Sequence, residues 1–443
     1  MPMVYVSIVL NYMSDCETYH HNIQPQYSTS IASVIAKMKT TIQDNNQEIN
    51  SYRFIGASLI VLLTFSFGLS WIVTGPITPL IIEDLAINQA TAGLLISIVF
   101  VVHTIFGIPS TLFITVIGLK TRITLGALIG SAPIFTFLIP DSFLFVLALR
   151  ACHAFGFMIL FTTVGPLFMR WFRPNELPVV NGIFVVAGIL GTVTSSAIVA
   201  QLSEIFGWAI SLSIFGSVTL FCTGVWIILG KDEKLAKQDR TSKQLFKVLK
   251  DRNTILLIIG DAGPLALLTA CFAWLPTFYH EVHNMSLAHT GWIMALIQFI
   301  GLLSLIAATV LTKQIPKRRP FFIIPGLLIG FAGFATIFLS NYLAIYIAVS
   351  MLGFCAWFYL PALLTVPMDL HPNNPLMVSL FSAVLLSIGG SASILSPFTV
   401  GTLSDLTGSL LPGFSIFIVL AWSLGIAGIL LPETGQRYKP TTS

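Results

Sequence analysis

The chain has 443 residues, of which 55% are hydrophobic and only 9% charged, with a mean hydropathy of +0.89 and a formal net charge of +4. Water-soluble domains carry about 25% charged residues, so this chain lacks the polar surface needed to face water. Composition makes it an integral membrane protein set in a lipid bilayer, and no basic run resembles a nucleic-acid surface.

Residues 1–54 differ from the rest. The stretch 14–54 is polar and rich in Asn, Gln, Ser and Thr, and Val4–Leu10 is far too short to cross a hydrocarbon core of about 30 Å. No basic stretch precedes Val4–Leu10 and no cleavage site follows, which argues against a signal peptide. The segment reads as a largely disordered cytoplasmic extension, with helix expected at most over Ile31–Thr41.

From residue 55 onward, twelve apolar runs are long enough to span, near 55–82, 91–114, 121–140, 142–169, 178–203, 208–230, 253–280, 287–312, 321–340, 341–367, 375–402 and 411–432. Short connections rich in Gly, Pro, Asn or Asp separate them, as at Pro140-Asp141-Ser142 and Pro372-Asn373-Asn374. Every Lys and Arg after residue 54 except one falls in alternate gaps, after the second, fourth, sixth, eighth and twelfth runs. Such asymmetry predicts both termini in the cytoplasm and an even number of spans. The five cysteines lie singly, with no CxxC pair, so neither a zinc site nor a disulfide framework is expected.

The two halves of the chain echo each other. Gly93 and Gly291 open the second and eighth runs, offset by 198. Pro174-Asn175 and Pro372-Asn373 follow the fourth and tenth at the same offset. Leu202-Ser203-Glu204-Ile205-Phe206-Gly207 and Leu403-Ser404-Asp405-Leu406-Thr407-Gly408 follow the fifth and eleventh, offset by 201. These matches argue for a duplicated six-helix unit: 55–230 as one half, 253–432 as the other, 231–252 as a basic cytoplasmic linker, and 433–443 as a cytoplasmic tail. Transporters built from such repeats hold substrate between the halves near the midplane.

On these features the chain resembles the major facilitator superfamily, over about residues 55–432. Gly118-Leu119-Lys120-Thr121-Arg122 is similar to the end of that family's loop between helices 2 and 3, although Thr115 replaces the expected acidic residue. Arg150 with Gly156 resembles its helix-4 arginine motif, and Gly207-Trp208 its Gly-Trp-Arg, with Ala209 replacing the arginine. The stretches Ala273–Tyr279 and Thr290–Leu296 resemble the cyanate and nitroimidazole transporter branch. The resemblance implies an all-α polytopic fold of twelve transmembrane helices in two pseudo-symmetric halves. It also implies alternating access between the halves, which places helices 1, 4, 7 and 10 around a central cavity.

Candidate site residues follow from cost. Arg150 is the lone formal charge within 143–169, about 12 Å below the outer membrane face at 1.5 Å per residue. A cation so deep in hydrocarbon needs a partner or a role. It can bind an anion bidentately, or pair with backbone carbonyls or an acid and hold helices together. Asp261 lies in Gly260-Asp261-Ala262-Gly263-Pro264, a poor helix former, so the seventh helix is expected to break there. Depth arithmetic puts Arg150 and Asp261 at similar heights, and a salt bridge between them across the cavity is an expectation. His153, one turn from Arg150, and His103, in the second run, are candidates to carry a coupling proton. Trp71, Trp274, Trp357 and Tyr359 can wall a cavity, with Gln298 as a hydrogen-bonding partner of substrate. His280, His283 and His289 near Glu281 read as outer-loop residues rather than as a metal site.

The expected function is a plasma- or inner-membrane secondary transporter, a functional monomer, moving a small and preferably anionic solute, with proton coupling. The second reading is proton-coupled efflux of a drug-like or neutral metabolite. A polytopic membrane enzyme or redox subunit is the reading from another class; it would need facing His ligands or clustered acids at membrane depth, and only His103 and His153 lie deep. No cofactor is expected, and no phosphate-binding loop of the G-x-x-x-x-G-K-[ST] type is present.

Overall fold

Four of the long helices begin where a short polar side chain takes up a free backbone N–H. Ser142 accepts from the amide of Phe145, Asp251 from Thr254, Ser286 from His289, and Asn341 from Leu343 and Ala344. The computed structural model describes residues 52–112, 118–173, 176–232, 250–370, 381, 384–385 and 388–434. The Arg53 guanidinium lies 4.6 Å from the Phe54 ring centre. The expected helix at Ile31–Thr41, Thr115, and most of the linker 231–252 lie outside the described residues.

The helices are α1 (Tyr52–Leu85, interrupted at residues 72–77), α2 (Gln89–Leu112), α3 (Leu119–Leu138), α4 (Phe143–Trp171), α5 (Leu177–Phe206) and α6 (Trp208–Leu229). They continue with α7 (Arg252–His283), α8 (Leu287–Gln314), α9 (Pro320–Phe338), α10 (Tyr342–Phe358 and Leu360–Leu370, joined at Tyr359), α11 (Ala392–Thr407) and α12 (Leu411–Leu430). Eleven helices among the described residues are long and apolar enough to cross a membrane. The run 375–402 lies partly outside the described residues, and α11 continues it to Thr407. The architecture is all-α and polytopic: twelve spans in two pseudo-symmetric six-helix halves.

The repeat is visible as geometry. Gly207 and Gly408 both carry positive φ, 81° and 71°, and each closes its helix by donating a hydrogen bond from its backbone N–H to a serine carbonyl, that of Ser203 or Ser404. Only glycine takes that backbone region freely. Gly93 and Gly291 also act alike. A Cβ on Gly93 would lie 2.6 Å from the Pro397 carbonyl oxygen of α11, and one on Gly291 would lie 2.5 Å from the Ser196 carbonyl oxygen of α5. Both glycines let helices of opposite halves meet backbone to backbone.

The helix ends define a basic face, with Lys120, Arg122, Arg170, Arg173, Arg252, Arg318 and Arg319, and an opposite face. Contacts between the halves close the opposite face. A Cβ on Gly75 of α1 would lie 2.0 Å from the Phe272 carbonyl oxygen of α7, and one on Gly401 of α11 would lie 2.6 Å from the Gln89 carbonyl oxygen of α2. The Asp405 carboxylate, at the end of α11, accepts from the Gln89 and Ala90 amides at 3.1 and 2.9 Å, so an acid of one half caps the first turn of a helix in the other. Removing such a cap costs about 1 kcal/mol, a factor of about five in an equilibrium. Asp405→Ala is therefore expected to speed hydrogen exchange at residues 89–92 about fivefold, and unchanged exchange would show that the cap does not hold the closure.

Two sequence expectations are altered by packing. The first is α7, which runs unbroken from Arg252 to His283, with Pro264 and Pro276 inside it. Its glycines serve close approach to α12: a Cβ on Gly263 would lie 2.1 Å from the Leu420 carbonyl oxygen. Pro264 leaves the Gly260 carbonyl without its helical donor, and the Ser423 hydroxyl donates to it at 3.5 Å. The second is the glycine-basic loop before α3. A Cβ on Gly118 would lie 2.4 Å from the Asp232 carboxylate, which accepts from the Lys120 amide at 3.1 Å. Here the carboxylate at the head of α3 comes from Asp232, just beyond the end of α6.

Candidate functional site

Pro76 lies in the interruption of α1 and Pro79 in the first turn after it, and the break leaves the preceding carbonyls short of helical donors. Arg150 of α4 makes up the deficit. Its Nη1 donates to the Ser70 carbonyl, its Nη2 to the Trp71 carbonyl at 2.8 Å, and its Nε to the Leu95 carbonyl of α2 at 3.2 Å. The side chain is only 2% exposed. Carbonyls at a helix C-terminus carry partial negative charge, which offsets the burial of a guanidinium. His153 is fully buried beside it, with Nδ1 2.7 Å from the Gly130 carbonyl oxygen and its ring 5.2 Å from that of Phe67.

This corrects the expected placement of Arg150. Its acceptors and its neighbours Val73, Pro133, Leu149 and Leu212 all belong to the first six helices, not to the space between the halves. The salt bridge with Asp261 is not formed either. Asp261, 5% exposed, accepts a 2.7 Å hydrogen bond from the Tyr359 hydroxyl. Arg150 nonetheless bears on the cavity at one remove, because the Trp71 backbone that it fixes carries a cavity-wall ring.

A cavity of about 240 Å³ lies between the halves. Helices α1, α2, α4 and α5 wall it on one side and α7, α8 and α10 on the other. Its surface is aromatic, with Trp71, Phe100, Phe157, Phe161, Phe272 and Trp357 prominent. Ring contacts continue along the wall: Trp71 to Phe157 at 4.8 Å, Phe157 to Phe161 at 5.9 Å, and Phe161 to Phe184 at 6.0 Å between centres. Its polar points are Thr64, Thr192, Thr269 and Gln298, and no formally charged side chain lines it among the described residues. Gln298 Nε2 donates to Ser196 Oγ across the halves at 3.1 Å, which leaves its carbonyl oxygen available to a ligand.

The other sequence candidates divide between cavity and framework. Trp357 lines the cavity, and its indole nitrogen has no partner among the described residues. His103 stands behind the wall, 5.1 Å from the Trp71 ring and stacked at 5.9 Å on Phe157, with Nε2 likewise unpartnered among the described residues. Trp274 is structural, because its indole N–H bonds the Pro397 carbonyl at 2.7 Å. His280 bonds the Met285 carbonyl, His289 the Tyr346 hydroxyl, and His283 stacks edge-on against Phe278. These three histidines do not converge, and no metal-binding group of His, Cys, Asp and Glu exists among the described residues. The Phe157–Phe161–Phe184 row escapes a reading of the sequence. Its only signal is spacing, and with 34 phenylalanines in the chain that spacing does not stand out.

A family model described as Major Facilitator Superfamily matches residues 60–384. The chain belongs to that superfamily. Its function is membrane transport. Uncharacterized protein Cj0987c of Campylobacter jejuni is 30% identical over 310 residues, covering 68% of this chain and 96% of that protein. The "Putative tartrate transporter" of Agrobacterium vitis is 23% identical over 404 residues, covering 81% of this chain and 89% of that protein. Among solved structures, a bacterial homologue of the human lysosomal transporter Spinster, inward-facing and unoccupied, superposes with a TM-score of 0.69 at 15% identity, covering 86% of this chain and 95% of that one. That likeness concerns the fold.

Proposed function

We propose that the protein is a secondary transporter for a small, neutral, planar solute, carried by alternating access through the aromatic cavity. The observation that carries this reading is the cavity's lining, seven large aromatic side chains with amide and hydroxyl groups and no formal charge among the described residues. A bare anion entering it would surrender hydration worth several kcal/mol without a cation to replace it. A planar solute gains stacking of about 0.5–1.5 kcal/mol per ring, and its polar edge meets Gln298. Both termini are read as cytoplasmic from the charge pattern, so the closed face is the outer one and the molecule is inward-facing, with no catalytic role.

A dicarboxylate substrate is the second reading, favoured by the name of the Agrobacterium relative and by the depth of Arg150. It requires Arg150 to leave the carbonyls of Ser70, Trp71 and Leu95.

Binding to the purified protein separates the two. Nicotinamide, a neutral planar probe, is expected to raise the melting temperature and quench tryptophan emission, and tartrate and nitrate are expected to do neither. Trp357→Ala and Gln298→Leu should each weaken nicotinamide about 2- to 10-fold, the loss of one stacking or hydrogen-bonding contact. Stabilisation by tartrate alone would reverse the assignment.

A further inference from the structure

Trp357, Tyr359 and Asp261 form a line from the cavity wall into the packing of the second half. Trp357 is in the wall. Two residues on, α10 gives up regular helix at Tyr359. Pro361 is the local cause: it has no N–H to give the Trp357 carbonyl four residues before it, and the Tyr359 amide bonds that carbonyl instead. The interruption therefore lies between a ring that meets solute and a hydroxyl that donates to Asp261 at 2.7 Å.

The surroundings of this pair are apolar. Leu257 of α7, Phe321 and Phe322 of α9, Ala362, Leu363 and Val366 of α10, and Leu424 of α12 make up the cluster that holds Tyr359, which is 1% exposed. From α12, Ser423 donates to the Gly260 carbonyl next to Asp261. Tyr359 is the one titratable side chain that meets Asp261 among the described residues. Arg252 of α7 and Arg319 at the head of α9 are engaged elsewhere, with the Leu430 carbonyl and with the carbonyls of Gly428 and Ile429. A carboxylate at this depth has no cation to offset it, which is the setting of a proton relay rather than of a structural ion pair.

We propose that Asp261 is the site of the coupling proton, and that Tyr359 transmits its protonation state across the α10 interruption to Trp357 in the cavity wall. The step is a simple protonation: the carboxylate takes H⁺ from the aqueous phase and becomes the neutral acid. As a carboxylate, Asp261 accepts a charge-assisted bond from Tyr359, roughly twice as strong as a bond between neutral partners. Protonation loosens that anchor, the interrupted segment of α10 gains freedom, and the Trp357 ring can follow the solute. This coupling role rests on the transport reading above, but the relay is a property of the empty protein and can be tested without any solute.

The test is a pH titration of tryptophan emission, taken as the difference between the wild type and Trp357→Phe so that the signal reports Trp357. The wild type is expected to show one transition. Asp261→Asn should abolish it while leaving the melting temperature near the wild-type value, since Asn still accepts from Tyr359. Tyr359→Phe should reduce its amplitude at least twofold by cutting the link. A Trp357 signal that does not titrate, or that titrates unchanged in Asp261→Asn, overturns the relay. In proteoliposomes, Asp261→Asn should keep nicotinamide exchange and lose at least tenfold of the accumulation driven by a pH gradient. Gradient-driven accumulation at the wild-type level would also overturn the proposal. A wild type that titrates but does not carry nicotinamide would count against the solute assignment and leave the relay standing.

Discussion

Replacing Arg150 with Ala is expected to cost the protein stability first and transport only in consequence. The substitution withdraws donors from three carbonyls, those of Ser70, Trp71 and Leu95. The Ser70 and Trp71 carbonyls at the α1 break would be left unpaired, at about 1–3 kcal/mol each, while the Leu95 carbonyl keeps its place in the α2 ladder, so the combined loss amounts to a few kcal/mol after water partly refills the site. Arg150→Lys keeps the charge but not the planar fork that reaches three acceptors on two helices, and it should fall between Ala and wild type. The measurement is the melting temperature in detergent, with the yield of monodisperse protein beside it. The ordering wild type, Lys, Ala supports the clamp. An Ala variant that melts like the wild type yet carries nothing would make Arg150 a substrate residue, as the dicarboxylate reading requires.

The second large effect is expected at the paired glycines. A side chain on Gly93 or Gly291 would collide with a backbone carbonyl of the opposite half, Pro397 or Ser196. Backbone cannot swing aside as a flexible side chain can, so Gly93→Val and Gly291→Val should each deny the protein the state closed on the opposite face. The same helices separate when that face opens, so folding is expected to survive. We expect at least a tenfold loss of turnover in both variants, with normal yield and faster exchange of the amides at 89–92. Equal behaviour of the two variants would also test the duplication, since they occupy equivalent places 198 residues apart. Turnover at the wild-type rate in either variant would show that the close approach is not part of the cycle.

These two cases mark what the sequence alone can disclose. The twelve spans are legible because a helix that crosses lipid must be apolar along its whole length, and because loop charges alternate. The glycine pair is legible as a repeat, but its purpose is not: the carbonyl it approaches carries no sequence signature. The same holds for Arg150. Its depth can be counted along the chain, whereas two of its three acceptors are backbone atoms freed by a break in α1 that only Pro76 and Pro79 hint at, and the third is a carbonyl of α2. Asp261 is visible as a buried acid in a weak helix, yet the helix does not break there, because Gly260 and Gly263 serve to admit α12. The acid's partner, Tyr359, stands out in the sequence only as a cavity candidate. Of the cavity itself, Trp71, Trp357 and Gln298 are legible from their helices, and the phenylalanine row is not.

On the proposed function, solute crosses through an aromatic cavity between the two halves that no charged side chain lines among the described residues. Counterflow in proteoliposomes tests it most directly, with labelled nicotinamide and labelled tartrate offered in parallel to the wild type, Gln298→Leu and Trp357→Ala. Saturable exchange of nicotinamide by the wild type, weakened in both variants, is expected, with no exchange of tartrate. Saturable tartrate exchange, unaffected by the two cavity substitutions and without any for nicotinamide, would contradict it.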